Sequence, residues 1–133
     1  MKIAAVTEDG ITISQHFGRA PYYLILTIEN NIIISKEKRG KMGHAQFAGT
    51  EEHVHETDPR GHGFDSSAKS RHASMASAIA DCQVLLARGM GAGAYESMKQ
   101  AGIQPVVTEI TNIDEAVLAY LNGTLVDHTE KLH

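Results

Sequence analysis

The chain has 133 residues, a formal net charge of -4, 42% apolar residues, one cysteine, no tryptophan and eight histidines. That length fits one domain able to bury a core without staples. The single thiol excludes an internal disulfide, and the acidic balance argues against a nucleic-acid interface, which is ordinarily a basic face. No apolar run reaches the length a bilayer span needs, so no membrane partner is expected. Met1 to Gly10 lacks the apolar stretch of a secretory signal, because Glu8 and Asp9 interrupt it. Together with the lone cysteine, this sets the expectation of a cytoplasmic protein.

Ile3 to Val6 is a short apolar run that reads as a buried central strand. Glu8-Asp9-Gly10 marks a turn, and Ile11 and Ile13 alternate with Thr12 and Ser14 in a brief extended segment. Ser14 to Pro21 is a polar loop holding one aromatic, Phe17. Tyr22 to Glu29 has strand composition, Asn30-Asn31 is a two-residue turn signal, and Ile32 to Ile34 resumes the apolar pattern, so an antiparallel hairpin is predicted. Lys36 to Lys41 carries four basic residues in six, and the strand is expected to fray there at an exposed edge.

Residues from about 40 to 70 have no apolar period and read as a flexible, histidine-rich loop within a single domain spanning 1–133. Five of the eight histidines fall between His44 and His72. Helical character returns from Ser70 to Ala80, with His72, Met75, Ala76 and Ile79 on one face. Val84 to Ala87 is the next strand and Gly91 to Ala101 the next helix, striped by Ala94, Met98 and Ala101, with Gly102 as its C-cap. A strand at Ile103 to Val107 follows. A final helix has Ile113, Ala116, Val117, Tyr120 and Leu121 on its apolar face and ends at Asn122-Gly123. Thr111 or Asn112 is its candidate cap; only Asn112 has the capping-box spacing to Glu115. A short extended tail runs from Thr124. The order of elements predicts an α/β domain with helices covering a mixed sheet in three α/β/α layers.

The junction from Cys82 to Glu96 joins a strand to a helix through Gly89, Gly91 and Gly93. Glycines there allow close backbone approach and free N–H groups that can hold an anion. The spacing Gly89-Met90-Gly91-Ala92-Gly93 is not the dinucleotide pattern, and no Walker lysine follows. Met90 offers a soft sulfur or a packing residue. Cys82 lies at the start of its strand and Gly89 beyond the other end, so the two are expected apart, with Cys82 a buried core thiol. His53 and His55 flank Val54 and point the same way in an extended segment, so with His62 they are candidate ligands for one divalent metal. The carboxylates form no recognisable catalytic cluster and no nucleophile elbow is present, so the chain is not expected to be an enzyme.

Four stretches carry a family resemblance: KIAAVTEDG at the start; SQHFGRAP from Ser14 to Pro21, leading into Tyr22-Tyr23; Cys82 to Gly93 with its Gly89-Met90-Gly91; and AGIQPVVTEITNIDEAVLAYLNG from Ala101 to Gly123. On these the chain resembles the dinitrogenase iron–molybdenum cofactor biosynthesis family, the small nitrogenase accessory factor-like proteins. The resemblance implies a ribonuclease H-like motif with a five-stranded mixed sheet, without implying nuclease activity. It also implies binding or carriage of an iron–sulfur or iron–molybdenum type cofactor or its precursor. The family site is thought to involve the Ser14 to Pro21 loop, which makes His16 the first candidate ligand or cofactor contact. Arg19 offers a planar fork to an anionic cofactor. Gly89, Met90, Gly91 and Gly93 would complete the mouth.

The expected function is therefore a non-catalytic carrier, empty after aerobic purification, that hands its cargo to cofactor-assembly proteins. Two alternatives stand beside it. One is a regulatory or structural module that pairs with another copy of itself through the hairpin edge at Ile32 to Lys38. The other is a zinc- or nickel-binding protein using His53, His55 and His62.

Overall fold

The structure, a computed structural model, describes residues 1–41 and 72–132. The histidine-rich stretch, with His53, His55 and His62, lies outside the described residues. Strands β1 (Lys2–Thr7), β2 (Tyr22–Glu29), β3 (Ile32–Gly40), β4 (Val84–Ala87) and β5 (Gln104–Val107) form one five-stranded sheet. Helical residues 72–77 form α1, Ala92–Gln100 form α2 and Ile113–Leu121 form α3.

The sheet order is β3-β2-β1-β4-β5. β1 runs antiparallel to β2 and parallel to β4, and β4 runs parallel to β5. Ile3 to Val6 are all fully buried, as a central strand covered on both faces requires. The hairpin turns at Asn30 and Asn31, whose φ values of 54° and 63° are the paired left-handed conformations of a tight two-residue turn. Asparagine adopts that region more readily than most residues.

The layers follow from strand parity. Lys36 and Arg39 are three apart on β3, so they point to opposite faces. Lys36 meets Asp114 of α3 at 2.9 Å. Arg39 donates to the Ala78 carbonyl at 2.9 Å and grips Asp81 through two bonds of 2.7 and 2.8 Å, just beyond α1. That guanidinium holds the Asp81 carboxyl well below the usual carboxylate range. Tyr23, level with Arg39 on β2, donates to the Met75 carbonyl at 2.8 Å. Thus α1 and α3 cover opposite faces of the sheet. Of the predicted face, Met75, Ala76 and Ile79 are buried and His72 half-buried, but the helix ends at residue 77, so Ile79 packs from the turn that follows it; full burial of a side chain like Ile79 is worth about 1.5–3 kcal/mol. In α2, Ala94 and Met98 are buried but Ala101 is exposed, because it already lies at the C-cap, and Gly102 follows with φ 87°.

Two sequence expectations change. β3 does not fray at its basic run: pairing with β2 continues to Tyr22 opposite Gly40, and Lys41 is buried. Ile32 and Ile34 are exposed on this outer strand, beside Lys36 and Lys38, which guard it against pairing with other edges. The tail from Thr124 is a strap rather than a free end. Asp127 accepts from the Val107 N–H at 2.9 Å and the Tyr95 hydroxyl at 2.6 Å, His128 N–H donates to the Val107 carbonyl at 2.8 Å, and a 3₁₀ turn follows at Thr129–Lys131. These bonds occupy the outer edge of β5 where it ends. No helix among the described residues is long and apolar enough to cross a membrane.

α3 begins where the capping box predicts. The Asn112 side chain accepts from the Glu115 N–H at 2.9 Å, with Asp114 and Glu115 in the first turn. Asn112→Ala should destabilise the protein by about 1 kcal/mol, read as a lower urea midpoint with unchanged slope, whereas Asn112→Asp should stay close to wild type.

Candidate functional site

Because β1, β4 and β5 are parallel, their C-terminal ends share one edge of the sheet. The chain turns from β1 toward β2 on one side and returns at β4 on the other, and crevices for ligands form at such switch points. An open cleft of about 730 Å³ lies here, lined by Gln15, His16, Arg88, Thr108, Glu109 and Lys131. Three strand exits and the C-terminal strap therefore converge on it.

The loop after β1 is built in two steps. Asp9 first closes a tight turn: its carboxylate accepts the N–H groups of Ile11 and Thr12 at 2.8 and 2.7 Å, which lower its pKa to about 2. The chain then folds over the exit of β4. Ser14 N–H donates to the Val6 carbonyl at 2.8 Å, Arg88 N–H to the Ser14 carbonyl at 3.1 Å, and Phe17 N–H to the Gly89 carbonyl at 3.1 Å. His16 is thereby bracketed by bonds on both sides, and its own N–H donates to Ser14 Oγ at 3.0 Å. Its imidazole is exposed and has no hydrogen-bond or ion-pair partner among the described residues.

Gly89 is what permits this closure. A Cβ there would stand 2.4 Å from the Gln15 carbonyl oxygen, closer than any real contact. The other glycines predicted to form the mouth sit differently. Gly91 is the N-cap of α2, with no side-chain capping bond. Gly93 faces the other way: a Cβ would lie 3.3 Å from the His72 ring, so its smallness lets α1 and α2 approach. Met90 is 1% exposed and packs in the core, so its sulfur is not presented to the cleft. Arg19 is exposed but does not line the cleft; its N–H and that of Ala20 both donate to the His16 carbonyl in a tight turn. Cys82 is buried as expected, and burial pushes its thiol up to about 12.

Sequence reasoning missed Gln15, Arg88, Thr108, Glu109 and Lys131 as lining residues. The signal was present for two of them: Arg88 and Thr108 are the first residues after the buried parallel strands β4 and β5. Among the described residues, no group of three or more His, Cys, Asp or Glu side chains converges to hold a metal ion.

Lys41 supports the loop from beneath. It is 2% exposed, donates to the Phe17 carbonyl, and places its ammonium 4.5 Å from the centre of the Phe17 ring. Burial lowers its pKa to about 8 from the ordinary 10.5. Between those values the native chain binds fewer protons at this site than the unfolded chain, so stability gains a component that rises with pH. Lys41→Met should remove that rise, read from urea midpoints measured across the window. Gly89→Ala should cost about 1–3 kcal/mol by forcing the Gln15 carbonyl away. Gly18→Ala, where a Cβ meets nothing within 4 Å, should stay within roughly 0.5 kcal/mol of wild type in the same denaturation series.

The chain is 30% identical over 126 residues to the uncharacterized protein MJ0580 of Methanocaldococcus jannaschii, covering 94% of this chain and 89% of the relative. The crystal structure of PH0822 superposes with a TM-score of 0.65 at 21% identity, covering 96% of this chain and 97% of that one. The apo form of the orange protein from Desulfovibrio gigas gives 0.62 at 19% identity, covering 93% and 89%. At these identities the two structures speak for a shared fold alone. Residues 1–123 match the family profile described as dinitrogenase iron-molybdenum cofactor. With nearly the whole chain matched, from β1 through α3, this protein belongs to the dinitrogenase iron–molybdenum cofactor family.

Proposed function

We propose that this protein is a non-catalytic carrier that takes up an iron–sulfur or iron–molybdenum type cofactor, or its precursor, as cargo and hands it to cofactor-assembly proteins. Family membership supports the class of cargo. The observation that carries the reading is the clamped loop, which presents an exposed, unpartnered imidazole at an open cleft. A carrier needs that combination: a rim held rigid by the backbone, and few ligands that exchange easily. One imidazole nitrogen can ligate iron, while the surrounding polar groups orient the cargo without trapping it.

The strand order, with one antiparallel pair beside β1, supports the finer assignment to the ribonuclease H-like motif. A nuclease built on that motif needs carboxylates converging on metal ions. Asp9, two residues past the end of β1, is instead engaged by the backbone of its own turn. This favours carriage over hydrolysis.

Anaerobic titration with the isolated iron–molybdenum cofactor and with its iron–sulfur precursor, read by absorbance and EPR, tests the proposal. Wild type should bind at least one of them stoichiometrically. His16→Ala should bind it weaker by roughly tenfold or more, with an altered EPR signal. Absence of binding by wild type would sink the carrier reading, and unchanged affinity and spectrum in the variant would remove His16 from the site.

A further inference from the structure

We infer that Arg88 and Thr108 form an anion-holding subsite, distinct from the metal-ligating role of His16, that receives a carboxylate or oxyanion group borne by the cargo. The inference rests on the carrier reading for its biological sense, though the subsite itself stands on the geometry of the cleft.

Arg88 leaves β4 with its main chain fixed. The fully buried strand lies behind it, and its N–H is bonded to the Ser14 carbonyl at 3.1 Å. Its side chain is half-buried on the cleft wall, yet makes no hydrogen bond or ion pair among the described residues. The other cations near a carboxylate behave differently. Arg39 is spent on Asp81 and Glu37, and Lys131 holds Glu109 at 3.2 Å across the same cleft. A guanidinium partly removed from water and given no carboxylate has unused directional donors, and its planar fork matches a carboxylate or an oxyanion.

Thr108 supplies the second donor. It is 2% exposed, and its Oγ1 accepts from the Ile110 N–H at 3.0 Å, which leaves the hydroxyl proton to donate. The negative groups of the neighbourhood are already engaged: Glu109 with Lys131, and Asp127 with Val107 N–H and the Tyr95 hydroxyl. A chain with net charge -4 thus keeps an uncompensated cation at the mouth where three strands end. That placement selects for anions by charge and orients them by geometry. It also moves the anion-reading role from Arg19, which does not line the cleft, to Arg88.

The test uses the metal-free full chain and two simple probes, citrate and inorganic phosphate, titrated while amide ¹⁵N–¹H shifts of Gly89, Thr108 and Glu109 are followed. Wild type should show saturable shifts with at least one probe, weakening as salt is raised; saturation by citrate alone would identify a carboxylate site, and by phosphate an oxyanion site. Arg88→Gln should weaken binding by about tenfold or more, with Arg88→Lys intermediate. Arg19→Gln should stay within roughly twofold of wild type, as expected for an exposed cation that does not line the cleft. The rest of the spectrum should superpose in every variant, so that loss of binding is not loss of fold. Absence of saturable shifts with both probes, or equal effects of the Arg88 and Arg19 substitutions, would overturn the subsite. Anion binding that depends on Arg88 in a protein that ignores both metal cofactors would uphold the subsite and remove the carrier reading. Cofactor binding unchanged in Arg88→Gln would do the reverse.

Discussion

The space beside the Gly89 α-carbon is occupied by the Gln15 carbonyl oxygen, and much of the site depends on that contact. A carbonyl can come this close only where no Cβ stands. Once it does, Ser14 and Phe17 reach the backbone of residues 88 and 89 and bond to it. The loop after β1 is then held to the end of β4 by main-chain atoms, whose positions do not depend on rotamer choice. His16 and Arg88, distant in sequence, become neighbours on one cleft because the end of a strand and a loop share two hydrogen bonds and one missing methyl group.

The sheet makes this contact useful. Parallel pairing of β1, β4 and β5 sends three chain exits to the same edge. Helices cover both faces, which leaves that edge as the place where polar side chains can gather without disturbing the core. The strap from Leu125 to Leu132 packs its two leucines against the core and brings Lys131 beside Glu109. It closes the β5 end of the cleft and occupies backbone groups of Val107 that would otherwise face water. One segment thus protects a sheet edge and completes the wall of a site.

The elements that follow local rules were legible in the sequence. Asn112 could be chosen over Thr111 because capping-box spacing is a short-range constraint, and the Asn30-Asn31 turn because asparagine tolerates positive φ. The α1 face was legible through its period. Side-chain direction at the site was not. Met90 sits in the glycine turn, yet packs inward beside fully buried β4. Arg19 is close to His16 in sequence but does not line the cleft, while Arg88 arrives there from another strand. Gly93 looked like part of a ligand rim and instead makes room for His72. Each miss came from reading sequence neighbours as spatial neighbours, when lateral strand pairing decides who meets at the edge.

Lys41 illustrates how far such nonlocal placement reaches. By composition it ends a basic run and should be solvated. The β2–β3 pairing instead runs through the basic run to Gly40, and the Lys41 N–H bonds to the Pro21 carbonyl at 2.9 Å. That turns its side chain under the site loop, where the ammonium meets the Phe17 carbonyl and ring. Burying a lone ammonium works against stability, so its retention is better understood through what it holds. The carbonyl it grips belongs to the residue next to His16, so the loop that carries this imidazole is tied by its main chain to the end of β4 and through Lys41 to the end of β3. A rim braced from two strands can offer a single ligand without collapsing around it. The geometry of this rim stays fixed because the backbone, not a network of side chains, supplies it.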